Sequence, residues 1–415
     1  MVRKTSKWLA LLGLFAIGAA PTLFAQDSGA LIDALVRKGI LNNQEAEDIR
    51  ADLIRDNNTI PSAVFAGGKS TDRLSIGMRL QTQYAGIETN VHNATDPAST
   101  EHFFLRRAYL TLKAGLGADW SAVFTYDFAG NSYDDAILEW KHGDDTVDFG
   151  LRKVNVCYEE RYTSSNLRAI ERNPVTRYFV EANNGRRLGA GSYRVGVFGD
   201  GKKGIFTYSA SITNPERADN FTLASDPGNA GNNSLAYWGN LGVNGKFTGG
   251  TYIAGVGAGY MPDQGGAGNT NFGKGFDLKV YSLYTDITYG RFTVMAEYLT
   301  AKVDGGINAT TDATPKGFYL TPSFLITEKI EAVAQYSWLD SDGRGLNLSD
   351  GIRSAPSGGT MNKMTEAYLG GNYYFKGNDL KFQLGFVYGK SKDTVTGAPA
   401  EAKTYGIRSQ VQVQF

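Results

Sequence analysis

The chain has 415 residues, with 42 basic and 42 acidic side chains, 51 glycines, 23 tyrosines, 22 phenylalanines and one cysteine. A balanced charge argues against a nucleic-acid binder, which needs a clear basic excess. Past residue 25 no run of about eighteen apolar residues exists, which excludes spanning helices, and a lone cysteine excludes an internal disulfide framework.

Residues 1–25, "MVRKTSKWLALLGLFAIGAAPTLFA", read as a signal peptide: Arg3, Lys4 and Lys7, then an apolar run, then a small residue at Ala25. The leader holds three basic and no acidic residues, so the mature chain carries a net charge of about −3. Residues 26–56 form the one convincing helical stretch. Leu31, Leu35 and Val36 make one apolar stripe and Ala46, Ile49 and Leu53 another, with Gly39 suited to a helix end and Asn42 or Asn43 to a cap. Two such short helices need a partner, because they cannot build a core alone. Residues 57–72, with Pro61, Gly67 and Gly68, read as a linker.

From residue 73 to 415 the pattern is that of sixteen strands. In "WSAVFTYDF" Trp120, Ala122, Phe124, Tyr126 and Phe128 alternate with Ser121, Val123, Thr125 and Asp127. "FTVMAEYL", "IEAVAQYSW" and "LKFQLGFVY" alternate likewise, whereas "FDLKVYSLYTDITY" does not resolve into two faces. The connections are "GLGAD", "HGDD", "GDGKK", "FTGG", "YGR", "TEK" and "KGND" on one side. On the other they are mostly long polar stretches: 89–101, 157–187, 214–234, 261–275, 303–314, 340–361 and 391–401. Short turns at one end and long loops at the other predict an all-β fold, a sixteen-stranded antiparallel transmembrane barrel in the bacterial outer membrane, with both mature ends periplasmic. About 21 residues per strand and connection leave room for the roughly 9–11 that cross a bilayer at a tilt.

The closing "SQVQVQF" fits this. Tyr405, Ile407, Val411, Val413 and Phe415 fall on one face and Arg408, Gln410, Gln412 and Gln414 on the other. In a barrel the last strand must pair with the first, since an open edge in lipid leaves backbone groups unsatisfied. A terminal aromatic such as Phe415 also resembles the signal read by the bacterial barrel-assembly machinery. By alternation Lys381 and Arg408 face inward. Arg107, Lys113 and Arg152 are expected there too, together with Asp127, Glu139, Glu297, Glu331 and Glu366.

The longest loop carries the chemistry. Residues 157–187 contain Arg161, Arg168, Arg172, Arg177, Arg186 and Arg187 against Glu159, Glu160, Glu171 and Glu181, and no lysine. Guanidinium is always charged and binds phosphate or carboxylate bidentately. Folded into a narrow lumen, these side chains would set a positive field; the bland alternative is that they pair with the four glutamates as staples of the loop. "GVGAGY" (255–260) aligns Gly255, Gly257 and Gly259 on one strand face, a smooth wall with room for an inserted loop. It lacks the third glycine and following helix of a dinucleotide site. Cys157 and the scattered His92, His102 and His142 suggest no metal centre, no cofactor is implied, and no catalytic constellation stands out.

In order along the chain stand "FFLRRAYLTLKAGL" (103–116), "GLRK" (150–153), "EERYTSS" (159–165), "ERN" (171–173) and "RRLGAG" (186–191). This set resembles the phosphate-selective porin O/P family, as does the helical prelude with "EAEDIRADL". The resemblance implies a porin for small anions such as phosphate, with Arg161 and Arg172 at positions that line the family's anion path. Arg168, Arg177, Arg107, Arg152 and Lys153 are further candidates for that path. Expected partners are membrane lipids, the assembly machinery and two further copies in a homotrimer. A general diffusion porin, or a structural or adhesive barrel, is the alternative reading.

Overall fold

The computed structural model describes residues 63–66, 73–181, 184–215, 235–262, 277–308, 310–395 and 399–415. The expected signal peptide, the helical segment and most of the linker lie outside them.

Sixteen strands close a single antiparallel barrel. They are β1 (Arg73–Val91), β2 (Thr100–Leu116), β3 (Trp120–Asp127), β4 (Ser132–His142), β5 (Asp145–Lys153), β6 (Tyr193–Lys203), β7 (Phe206–Thr213) and β8 (Ala236–Phe247). The second half comprises β9 (Gly250–Met261), β10 (Leu278–Tyr289), β11 (Phe292–Asn308), β12 (Lys316–Leu325), β13 (Ile330–Asp340), β14 (Met361–Lys376), β15 (Leu380–Thr394) and β16 (Glu401–Gln414). Each pairs with its neighbours in sequence, and β16 closes the ring on β1. Two short segments add to this sheet. Ala63–Ala66, inside the stretch read as linker, pairs with the start of β1, and Thr311–Ala313 pairs with the end of β11.

Short turns join the strands at one end, at 117–119, 143–144, 204–205, 248–249, 290–291, 326–329 and 377–379; the connections at the other include the long 154–192 and 341–360, with 128–131 as a brief exception. One turn differs from expectation. β6 runs on to Lys203 and reverses at Gly204, not within "GDGKK". Gly204 has φ +61°, which the glycine adopts without the penalty a Cβ would bring.

The two faces follow the period-2 pattern. On β16, Arg408, Gln410 and Gln412 are buried inside, while Ile407 and Val411 are about half exposed on the outer, lipid-facing side. Exposed aromatics such as Trp120, Phe206, Phe247, Tyr289 and Phe375 stand beside the short turns, where a membrane barrel places its aromatic girdle. The closing seam ends at the chain terminus: Phe415 N–H donates to Met78 O at 3.1 Å, and Met78 N–H to Phe415 O at 3.0 Å. Deleting Phe415 removes both bonds, each contributing about 1 kcal/mol net. The expected result is a smaller folded fraction, read as heat-modifiable protein on a gel, with unassembled chain in its place.

Candidate functional site: an inserted loop and a charged lumen

The connection from β5 to β6, residues 154–192, does not stay outside the barrel. It folds across the interior and packs on the inner wall of the second half. Its two short helices are α1 (Tyr158–Arg161) and α2 (Pro174–Val180). Asn173 caps α2, its Oδ1 accepting from Val175 N at 2.8 Å and Thr176 N at 3.0 Å, and Pro174 sits at the first helical position, where no N–H is needed. Val175, Tyr178 and Phe179 are fully buried and share one apolar core with Leu299, Val303, Tyr319, Leu339 and Met364 of the wall.

Two features of the wall make the docking possible. The first is space. A Cβ on Gly257 would overlap the Val156 carbonyl oxygen, and one on Gly317 would stand 3.0 Å from the Val175 side chain. The smooth strip expected from "GVGAGY" is therefore where the loop backbone lies. The second is Glu297 on β11. Its carboxylate accepts from Tyr158 N at 2.8 Å, Glu159 N at 3.3 Å, Ser282 Oγ at 2.6 Å and Tyr319 OH at 3.0 Å, and Cys157 Sγ lies at 3.4 Å. Next to it, Tyr158 stacks on Tyr284 with ring centroids 4.6 Å apart.

The far part of the loop rests on the seam. Asn372 Nδ2 on β14 donates to the Arg168 carbonyl, and Gln383 Nε2 on β15 donates to Asn372 Oδ1 at 2.9 Å. Gln410 on β16 donates to Gln383 Oε1 at 2.7 Å, and Gln83 on β1 donates to Gln410 Oε1 at 2.8 Å and to loop Glu171 at 2.9 Å. Lys381 Nζ donates to Leu167 O at 2.9 Å.

Between the loop and the wall formed by β1–β6 lies a cavity of about 890 Å³. Its cationic lining comprises Arg79, Arg106, Arg107, Arg152, Lys153, Arg161, Arg172 and Arg353. Of the residues expected on the path, Arg161, Arg172, Arg107, Arg152 and Lys153 are thus brought together. Arg168 and Arg177 are not. Arg168 stands behind the loop, 3.6 Å from Glu331 and 3.9 Å from Asp286. Arg177 is almost fully buried, paired with Glu181 at 3.0 Å and donating to Gly351 O at 2.9 Å.

The arginines divide by their partners. Arg172 holds Glu160 at 2.9 Å and donates to the Tyr162 carbonyl at 3.0 Å, so it staples the loop; Lys153 joins Glu160 at 3.0 Å. Arg152 pairs with Asp148 and Asp200, and Arg186 and Arg187 pair with Asp350 and Glu181. Arg79, Arg107 and Arg161 differ. Among the described residues, none of the three has a carboxylate at ion-pair distance. Arg161 donates to Asn155 Oδ1 at 2.7 Å and Asn240 Oδ1 at 3.1 Å, with its guanidinium over the Tyr158 and Tyr284 rings. Arg107 donates to Gln81 Oε1 at 2.7 Å, and Arg79 to Ser164 Oγ at 2.9 Å and Gln414 Oε1 at 3.1 Å.

Arg106 and Arg107 are adjacent on β2, so strict alternation would send one of them into lipid. A bulge prevents this: Gln81 pairs with Arg107 and the next residue, Thr82, with Leu105, leaving Arg106 over as the extra residue. Both guanidiniums line the cavity. β4 repeats the device with opposite charge. Thr125 pairs with Asp135 and Tyr126 with Tyr133, so both Asp134 and Asp135 reach the lumen, beside Asp127 and Glu139.

Loop carboxyls respond to their surroundings. Burial opposes ionisation of Glu160, but Arg172 and Lys153 outweigh it and hold its carboxyl below the usual range. Glu171, buried too, is held well below that range by Arg106 and Arg353. Glu159 lacks such compensation: burial, with Glu297 close by, pushes it up to about 8, against the bonds from Thr176 and Asn173 and the pull of Arg172.

A closed sixteen-stranded barrel with a lipid-facing apolar belt, a polar lumen and one long loop folded across it defines an outer-membrane porin. The chain belongs to the phosphate-selective porin O and P family, whose model matches residues 74–415, and its place is the bacterial outer membrane. No curated protein matches the sequence. Among solved structures, it is similar to an anion-selective porin from Comamonas acidovorans, with 13% identity and a TM-score of 0.56 over 83% of this chain and 100% of that one. The outer-membrane channel DcaP of Acinetobacter baumannii is similar at 12% identity and TM-score 0.50, covering 84% and 100%. OmpT of Vibrio cholerae, folded in vitro, matches at 12% and 0.50, covering 83% and 98%. At such identities the likeness concerns the fold.

Proposed function

We propose that the protein lets small hydrophilic solutes diffuse passively through its lumen and favours anions such as phosphate. The observation that carries this reading is the trio Arg79, Arg107 and Arg161, which line the cavity without a carboxylate at ion-pair distance among the described residues. The other loop arginines are largely occupied as staples, so the positive field comes from fewer groups than the loop sequence suggests. At ~4 Å and an effective dielectric of ~20, each unit charge acts on a passing anion with about 4 kcal/mol. The reading includes a homotrimer, an orientation with the short turns periplasmic, and Phe415 as the residue read during assembly. It also takes the protein as a channel, with no catalytic step.

The test is reversal potential in a planar bilayer under a chloride gradient near 0.1 M, where the Debye length is about 10 Å. Wild type should prefer anions, and inorganic phosphate should block chloride current. Replacing Arg79, Arg107 and Arg161 by alanine should abolish the preference and most of the block. An unchanged reversal potential in the triple variant would remove these residues from the ion path. A second reading, a channel with little selectivity, is favoured by Asp127, Asp134 and Asp135, which line the same cavity with no basic partner at ion-pair distance among the described residues. It predicts similar anion and cation permeability in the wild type.

A further inference from the structure

The connection from β13 to β14, residues 341–360, lines the cavity through Arg353 although its sequence carries no arginine cluster. It holds a third helical turn, α3 (Leu348–Gly351), and is fixed to the wall where Thr89 Oγ1 donates to Pro356 O at 3.1 Å. It meets the inserted loop along a continuous set of bonds. Arg186 pairs with Asp350 at 2.6 Å, Asn184 Nδ2 donates to Asp350 Oδ1 at 2.7 Å, and Arg177 donates to the Gly351 carbonyl. From this brace Arg353 reaches the cavity, with its side chain 28% exposed. Its Nε is 3.1 Å from Glu171 and its Nη2 is 2.6 Å from Glu181.

Each of those acids already has a cation of its own. Glu171 is paired with Arg106 at 2.6 Å, and Glu181 with Arg177 at 3.0 Å and Arg187 at 2.5 Å. Arg353 therefore adds charge to a cluster whose acids are compensated without it. A staple alone would leave the sign of the lumen unchanged; this one raises a local surplus that faces the open cavity. We propose that Arg353 is a specificity-determining residue of the channel, and that the narrowing is built from two loops, with 341–360 setting part of its charge. The inference rests on the channel reading above.

The test uses the full-length protein in planar bilayers at 0.1 M salt, with heat modifiability as the check on folding. Arg353→Gln should lower the anion-to-cation permeability ratio by roughly two- to tenfold, since a partly buried charge is poorly screened at this ionic strength. Arg353→Lys, which keeps the charge and loses the fork, should retain most of the wild-type ratio. The decisive variant is Arg353→Gln combined with Glu181→Gln. It returns the net charge to the wild-type value while breaking the bridge further, so the ratio should move back towards wild type. A folded Arg353→Gln protein with the wild-type ratio, or a double variant that departs further from wild type, would overturn the proposal and leave Arg353 as a brace. If the wild-type protein inserts and passes no current, the channel reading fails, and this inference with it.

Discussion

Replacing Glu297 with alanine is expected to release the first turn of the inserted loop and open the lumen. Glu297 is 2% exposed, and its carboxylate accepts two backbone N–H groups, those of Tyr158 and Glu159, as well as Ser282 and Tyr319. Without it, these buried donors lose their shared acceptor, at about 1–3 kcal/mol for each group left unsatisfied. The barrel ladder itself is untouched, because Glu297 contributes only its backbone to the pairing with Tyr284 and Tyr319. Single-channel recordings should show a larger and noisier conductance than wild type, in protein that still folds to a heat-modifiable barrel. Glu297→Gln keeps one acceptor oxygen and should produce a milder version. Quiet, wild-type steps from the alanine variant would mean that the apolar core of α2 alone keeps the loop in place.

The second large effect is expected at Gly257. Any Cβ there meets the Val156 carbonyl oxygen, part of a backbone and not the tip of a flexible side chain, so relief requires the loop or the strand to move. Gly257→Val should displace the entry of the loop, and overpacking of this kind costs about 1–3 kcal/mol or more. Conductance should rise and anion preference should fall, because Arg161 is carried on the displaced segment. Gly239→Val supplies the comparison. A Cβ at Gly239 has only the Ser209 carbonyl nearby, at 3.7 Å, and the channel should behave as wild type. Equal behaviour of the two variants would show that the Gly257 contact does not position the loop.

Much of the barrel is legible in the sequence because its physics is local. Alternation along "LKFQLGFVY" needs no distant partner to be read: Phe382, Leu384 and Phe386 are exposed on the outside, and Lys381 and Gln383 are buried within. "FDLKVYSLYTDITY" resists the same treatment for a definite reason. Leu278 and Val280 point inward yet are apolar, since they meet the core of the inserted loop and not water. The inner wall turns apolar where the helix of the loop packs on it, and stays polar where it faces the cavity or bonds the loop backbone. The site was half visible. The arginines of 157–187 announce themselves by composition, but which are staples depends on partners such as Asp350 and Glu160, brought close by folding. Arg106 was hidden by the alternation rule, which a one-residue bulge suspends. Arg353 stands some 160 positions beyond the loop it completes, and no spacing in the sequence connects the two.

The chain of amides under the loop has one more implication, for the order in which the molecule is made. The seat for Arg168 and Glu171 is assembled from Asn372, Gln383 and Gln410 near the end of the chain and Gln83 near its beginning. Gln83 and Gln410 come within hydrogen-bonding distance only once β16 has zipped onto β1. Before that moment half of the seat is missing, and Glu171 lacks its bond to Gln83. The loop tip thus takes its full seat only on a finished circumference: a barrel with an unsealed wall is also one whose throat is incompletely guarded.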